Sequence, residues 1–277
     1  LDQQTFDYRA LTAAGVQLVR GFAVDVDGAQ QMVTLQGGRR IAYDRLVLAP
    51  GVRLNFEQLS GYTKRSTQAL PHAWHAGPQT ILLRRQLDAM PYEGLAEISV
   101  PPAPDRCPPG PYERASLIAS YFKQAKPKAR ILILDNNDRF SKQALFQQGW
   151  RDLYGDTIRW QSGSNDGRVK RVEPANMRVH TDFDTYQPDV ANIIPPQQAG
   201  DIAHRAGVTD SSGWCPVDSV RFESPLLPHI HVIGDAAIAA PMPKSAFAAN
   251  AQAKVCAIAL VRLFRGMRAE PTVLANT

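Results

Sequence analysis

Residues 95–135 constrain the fold more than any other stretch. Leu95-Ala96-Glu97-Ile98-Ser99-Val100 reads as a buried strand, Tyr112-Glu113-Arg114-Ala115-Ser116-Leu117-Ile118 as a helix start, and Ala129-Arg130-Ile131-Leu132-Ile133-Leu134-Asp135 as a second strand. Strand, helix and strand in that order outline a βαβ unit, which commits the chain to a parallel sheet with helices on its faces. The first turn of such a unit usually carries glycines, so that the helix N-terminus can hold a dinucleotide phosphate. Here the turn reads VPPAPDRCPPGP, with Cys107 among prolines. Prolines block the close backbone approach that a phosphate needs, so a pyridine nucleotide is not expected at this helix end.

The rest of the chain falls into blocks around that unit. Up to about residue 56 it reads as short strands and turns. Val16-Gln17-Leu18-Val19-Arg20 and Gln31-Met32-Val33-Thr34-Leu35 alternate, with Asp27-Gly28 and Gly37-Gly38 as turns. Tyr43 to Leu48 is a buried strand ending in Ala49-Pro50-Gly51, a small-residue turn that lets backbone approach a ligand. A helix over Gln79–Met90 precedes the βαβ unit, a helix over Lys142–Tyr154 follows it, and strands run to Ile194 before Pro195-Pro196 closes the block. The last block begins near Ala199, passes Cys215, and reaches a strand ending in Gly234-Asp235. A helix from Ser245 to about Arg265 follows, with Gly266 as its stop.

A length of 277 residues is ample for a sizeable core, and 44% hydrophobic with 21% charged residues is ordinary for a globular protein. The net charge of +5 is scattered rather than clustered, which excludes a nucleic-acid interface of the basic-patch kind. No apolar run is read as long enough to span a membrane. The chain opens at Leu1 within an amphipathic pattern and ends without a stop signal, so it reads as a fragment incomplete at both ends.

The cysteines are Cys107, Cys215 and Cys256, an odd count with no metal-ligand spacing, so no metal site is expected. Cys256, in an alanine-rich helical run, reads as a packing residue. Cys107 and Cys215, each flanked by proline, form the candidate pair. The dipole of the following helix, with Arg106 and Arg114, is expected to favour a Cys107 thiolate. Glu113, in the first turns of that helix, is suited either to proton exchange or to ordinary dipole compensation. If the two cysteines bond, closing a loop of about 100 residues stabilises by up to ~4.7 kcal/mol in the entropic description, so a structural staple is reasonable. A large domain has little need of one, which favours thiol exchange.

Gly234-Asp235 brings a carboxylate to a strand end, where an open α/β sheet binds ligands, and Lys244 adds a positive charge at the following helix start. Such a site suits a flavin, whose pyrimidine end gathers negative charge on reduction; the same residues also read as an ordinary turn and a solvated lysine.

RCPPGPYERAS from Arg106, LPHAW at Leu70–Trp74, GWCPVD at Gly213–Asp218 and HVIGDA with PMPKS between His231 and Ser245 resemble the flavoprotein subunit of flavocytochrome c sulfide dehydrogenase. The resemblance implies an α/β fold of the disulfide-oxidoreductase type. A partial FAD-binding domain would cover residues 1–70 and a second dinucleotide-like domain 71–196. A return to the FAD domain would follow over 197–277. It implies that Cys107 and Cys215 are a redox-active disulfide beside FAD and that Glu113 handles protons. Ala23, Ala49, Pro50, Gly51, Gly234, Asp235, Pro243 and Lys244 would contact FAD. Hydrosulfide would be the substrate, oxidised to sulfur, with electrons leaving to a c-type cytochrome subunit in a periplasmic heterodimer. The chain departs from that family in having no G-x-G-x-x-G and no N-terminal cysteine to tether FAD, and it carries Ala246-Phe247-Ala248 where the family has Gly-Tyr-Ser. The rival readings are a sulfide:quinone oxidoreductase and a non-catalytic cytochrome-binding subunit with a structural disulfide.

Overall fold

The strand-rich opening of the chain is set by its turns. The computed structural model describes residues 7–273. After a short helix α1 (Arg9–Ala13), three antiparallel strands form a meander: β1 (Ala23–Asp27), β2 (Met32–Leu35) and β3 (Arg40–Ala42). The expected strand over residues 16–20 is absent; β2 pairs instead with Ala23–Asp27. The turn decides this. Asp27 Oδ1 accepts the Gln30 N–H at 2.9 Å, so the hairpin must be built from the residues that immediately precede Asp27. Next come β4 (Leu46–Leu48) and β5 (Val52–Leu54).

The chain divides into two compact units, residues up to Arg53 with Gln198 onward, and Leu54–Gln197. The return at Gln198 lies one residue from the expected start at 197, but the first crossing comes at 53/54 rather than 70/71. The reason is packing: Phe56, Leu59, Tyr62 and Leu70 share one apolar cluster with Leu132, Leu134, Val172 and Ile193 of the second unit. The Tyr62 hydroxyl closes that arrangement by donating to Leu70 O at 2.7 Å and Ile193 O at 3.1 Å.

The second unit holds α2 (Pro78–Ala89), β6 (Leu95–Val100), α3 (Gly110–Ala125), β7 (Arg130–Asp135), α4 (Gln143–Tyr154) and β8 (Ile158–Gln161). It continues with the small antiparallel sheet β9 (Arg171–Glu173), β10 (Arg178–His180) and β11 (Thr185–Tyr186), and then β12 (Val190–Ile193). Its main sheet runs β12-β6-β7-β8, parallel throughout. Such a sheet needs cover on both faces, which explains the near-continuous burial of β6 and β7. Ala96, Ile98, Ile131 and Ile133 pack with Leu83, Leu87, Ala115, Ile118 and Phe122 of the helices. Leu132, Leu134, Ala191 and Ile193 pack on the other side with Leu59, Val172 and Val179.

Back in the first unit the chain forms β13 (Gln197–Ala199), α5 (Asp201–Arg205), β14 (Cys215–Pro216), β15 (Ile230–Val232), β16 (Ala237–Ile238) and α6 (Ala246–Phe264). β15 pairs in parallel with β4 and β14 with β16. Ser245 caps α6 by accepting the Ala248 N–H at 3.2 Å, and Gly266, at φ +68°, ends it. α6 corrects one expectation: its 19 residues are long and apolar enough to cross a membrane by length and composition alone. Asn250, Gln252 and Lys254 interrupt the apolar run in sequence. Its inner face, Ala248, Ala251, Gln252, Val255, Cys256 and Ala259, is buried.

Candidate functional site

The turn between β6 and α3 places Cys107. Its backbone is left-handed, φ +55°, and its carbonyl accepts the Gly110 N–H at 2.8 Å, folding the thiol back over the helix start. Gly110 is required there. A Cβ on it would stand 2.7 Å from the Trp74 ring and 3.2 Å from Cys107 Sγ, so the indole and the thiol crowd that one backbone position. Cys107 is half-buried, and Glu113 lies one turn on with an exposed side chain.

The expected thiolate is not favoured. Burial pushes the Cys107 thiol up, the Glu113 carboxylate and then Asp105 push the same way, and the Gly110 N–H and Arg106 only partly oppose them. The arginines are engaged elsewhere: Arg106 donates to Trp74 O, and Arg114 to Ala73 O at 2.6 Å, Asn192 Oδ1 at 2.7 Å and His72 O at 3.3 Å. Sequence spacing showed charges of both signs near the thiol but not where their hydrogen bonds went.

In a dinucleotide-binding βαβ unit the acid ending the second strand holds a ribose. Asp135, which ends β7, is 0% exposed and fully committed. Oδ2 accepts the Tyr112 hydroxyl at 2.5 Å and Trp160 Nε1 at 2.9 Å, while Oδ1 accepts Asn137 N at 2.9 Å and Nδ2 at 3.0 Å. Phe140 stacks on Tyr112 with centroids 3.7 Å apart and meets Trp160 edge-on at 5.4 Å. Aromatic side chains thus surround the acid, and no carboxylate oxygen is left for a sugar.

In the first unit, β4 and β15 are in parallel register, Leu46 with Ile230 and Leu48 with Val232, so the turns Ala49-Pro50-Gly51 and Ile233-Gly234-Asp235 leave the sheet side by side at its C-terminal edge. Gly51, φ +63°, has nothing within 4 Å of the position a Cβ would take, and Gly234, φ +75°, would meet only Ala249 at 3.7 Å. That is backbone open to close approach, and it fits a planar or phosphate-bearing ligand of the flavin nucleotide class. Lys244 Nζ donates to Asp235 O at 2.8 Å and Ala237 O at 2.9 Å and stands 3.8 Å from the centroid of the Trp214 ring. It therefore ties the Gly234–Ala237 turn to the Trp214-Cys215 strand, where Cys215 lies opposite Ala237. Cys215 is 0% exposed, and burial pushes its thiol up to about 12 against the pull of Lys244. Pro243 O accepts the Ser245 N–H at 3.0 Å, shaping the approach to α6. Ala23 begins β1, in the antiparallel meander rather than at this edge.

The structure thus gathers Gly234, Asp235, Lys244 and Cys215 in one unit, and Cys107 with Glu113 in the other. All three cysteines are thiols. Trp74 and Asn192, which frame the Cys107 turn with Arg114, are not among the sequence-predicted site residues; the sequence signal for Trp74 is the LPHAW motif.

Comparison with known proteins bears on what these groups do. Residues 80–195 match the family described as the central part of the sulfide dehydrogenase [flavocytochrome c] flavoprotein chain. Mitochondrial sulfide:quinone oxidoreductase of Mus musculus is 23% identical over 264 residues, 87% of this chain and 55% of that protein. The structure of sulfide:quinone oxidoreductase from Aquifex aeolicus superposes with a TM-score of 0.66 at 19% identity, over 82% of this chain and 54% of that one. An FAD-dependent pyridine nucleotide-disulphide oxidoreductase from Desulfovibrio vulgaris gives 0.56 at 22% identity, over 90% and 62%. The chain spans about half the length of the curated relatives it matches. Its fold is that of the FAD-dependent disulfide oxidoreductases, and the resemblance to the sulfide dehydrogenase flavoprotein is found in its central segment.

Proposed function

We propose that the chain is part of an FAD-dependent sulfide dehydrogenase of the flavocytochrome c type, acting in the periplasm with a c-type cytochrome subunit. The observation that carries this reading is Cys107. It stands on the proline-rich turn of a dinucleotide-type unit whose ribose-binding acid is committed internally, inside the segment that matches the sulfide dehydrogenase family. A turn with no use for a nucleotide and an accessible thiol suits sulfur chemistry.

In the oxidised enzyme Cys107 and Cys215 form a disulfide. Hydrosulfide attacks one sulfur of that bond; an S–S bond forms to the incoming sulfur, the cysteine S–S bond breaks, and the displaced cysteine leaves as thiolate. Glu113 takes the proton of the bound hydrosulfide, a role that its exposed position at the start of α3 permits. Loss of zero-valent sulfur and closure of the disulfide complete the balance, hydrosulfide giving sulfur, one proton and two electrons. FAD, when bound, supplies the two-electron acceptor that this closure requires. Ala49-Pro50-Gly51 and Gly234-Asp235 would hold it at the β4–β15 edge, with Lys244 fixing the second turn, Pro243 shaping the loop before α6, and Ala23 toward the adenine end.

Anaerobic sulfide titration of the full-length flavoprotein tests the reading. Bleaching of the flavin is expected in the wild type and not in Cys107→Ser; bleaching that survives the substitution overturns the mechanism. A second reading, reduction of a quinone, is favoured by the match to sulfide:quinone oxidoreductase over 264 residues. Parallel assays with cytochrome c and a soluble quinone decide between the acceptors.

A further inference from the structure

The loop Pro71–His75 in the Leu54–Gln197 unit is held unusually firmly for a loop. Ala73 is left-handed at φ +47°, a conformation that costs energy for a residue with a Cβ. Asn192 Nδ2 donates to Pro71 O and His72 O, both at 2.8 Å, and Arg106 donates to Trp74 O. His72 Nδ1 accepts the Trp74 N–H at 2.9 Å. The Arg114 guanidinium gathers this loop by bonding His72 O, Ala73 O and Asn192 Oδ1, and it lies 5.1 Å from the centroid of the Trp74 ring. Its hydrogen-bond partners are two of the loop's own carbonyl oxygens and the Asn192 side-chain oxygen.

The ring that Arg114 holds lies against the position where Cys107 Sγ and the Gly110 backbone meet. Among the described residues no acceptor meets the buried Trp74 Nε1–H, so packing rather than a hydrogen bond places the indole there. We propose that Arg114 is the positioning residue for the Cys107 thiol: it clamps the Pro71–His75 loop so that the Trp74 indole presses on the Cys107–Gly110 turn and sets how the thiol is presented. Arginine suits the task because one planar fork serves several oxygens at once, which an ammonium group cannot do in the same geometry. The clamp is also electrostatically coupled to its target. Ionised Cys107 helps keep the Arg114 guanidinium charged, and the reciprocal pull of the guanidinium on the thiolate is weaker than the effects of burial, Glu113 and Arg106. Glu113, Asp105 and Arg106 face the same thiol, with His72 and His75 on the loop, and all stay constant when Arg114 alone is changed.

The inference rests on the sulfide reading only for the use made of the thiol, and its test needs no sulfide. The rate of iodoacetamide uptake at Cys107, read by peptide mass mapping on the reduced full-length protein over roughly pH 7 to 11.5, yields a midpoint and a plateau. Arg114→Met is expected to move the midpoint up by about half a pH unit, so that uptake below the midpoint slows roughly threefold, and to change the plateau by a similar factor. Arg114→Lys is expected to bring the midpoint back but not the plateau, since it restores the charge without the fork. Trp74→Phe is expected to shift the plateau and leave the midpoint. Wild-type midpoint and plateau in Arg114→Met, or a wild-type plateau in both Arg114→Lys and Trp74→Phe, overturns the proposal. Should Arg114→Met lose its cooperative unfolding transition, Arg114→Lys and Trp74→Phe decide by the same criterion.

Discussion

Replacing Glu97 by glutamine removes a proton-binding site from the middle of the parallel sheet. Glu97 is 1% exposed, sits opposite Leu132 and Ala191 in register, and among the described residues neither carboxylate oxygen has a hydrogen-bond partner. Burial alone holds its carboxyl well above the ordinary value of 4.5, so the folded chain keeps a proton that the unfolded chain releases. Stability from this group is therefore greatest below pH 4.5 and falls as pH rises from there toward the folded value, at about 1.4 kcal/mol per pH unit. Urea unfolding of the wild type and Glu97→Gln over this pH range isolates the effect, because every other titrating group is common to both. The buried amide adds an offset that does not vary with pH. The difference between the two proteins is expected to grow in favour of the variant as pH rises above about 4.5. A difference that stays flat across that window refutes the assignment of Glu97 as a neutral, unpartnered acid.

Three further outcomes follow from the same unit. Burial first, and then the charges of His75, Arg114 and Arg106, hold the His72 ring down to about 4, so its NMR signals are expected not to titrate between pH 5 and 8, and the stability it contributes is lost as pH falls from 6.5 toward 4; titration near 6.5 would contradict this. Tyr112→Phe removes the hydroxyl donor to Asp135 and is expected to cost about 1–3 kcal/mol in thermal or urea unfolding, against near-neutrality if the aromatic cage carries that region alone. Gly110→Ala puts a methyl group 2.7 Å from the Trp74 ring and is expected to cost about 1–3 kcal/mol while changing iodoacetamide uptake at Cys107; an unchanged melting temperature and uptake rate would show that the contact is not tight.

What was legible in the sequence is what short-range pattern decides. The strand at Leu95–Val100 was read with its observed bounds, and the helices at 79–90 and 142–154 to within a residue, because apolar periodicity and proline or glycine punctuation act over a few positions. The juxtaposition of Ala49-Pro50-Gly51 with Gly234-Asp235 needed two short strands with small-residue turns, β15 buried and β4 exposed at Val47 where a buried strand is expected, and their parallel pairing supplied the rest. The Cys107 environment was read with the wrong sign for a physical reason. A thiol at a helix start beside two arginines should ionise if those charges are free, and whether they are free depends on hydrogen bonds to residues far away in sequence. Arg114 reaches Asn192, and Tyr112 reaches Asp135, across turns that no local pattern specifies. The same long-range bonds turn a dinucleotide-type scaffold to another use. With Asp135 held by Tyr112 and Trp160, and the glycine turn replaced by prolines, the element that remains accessible at the head of α3 is the thiol, and its reactivity is then governed by what presses on it rather than by the helix dipole behind it.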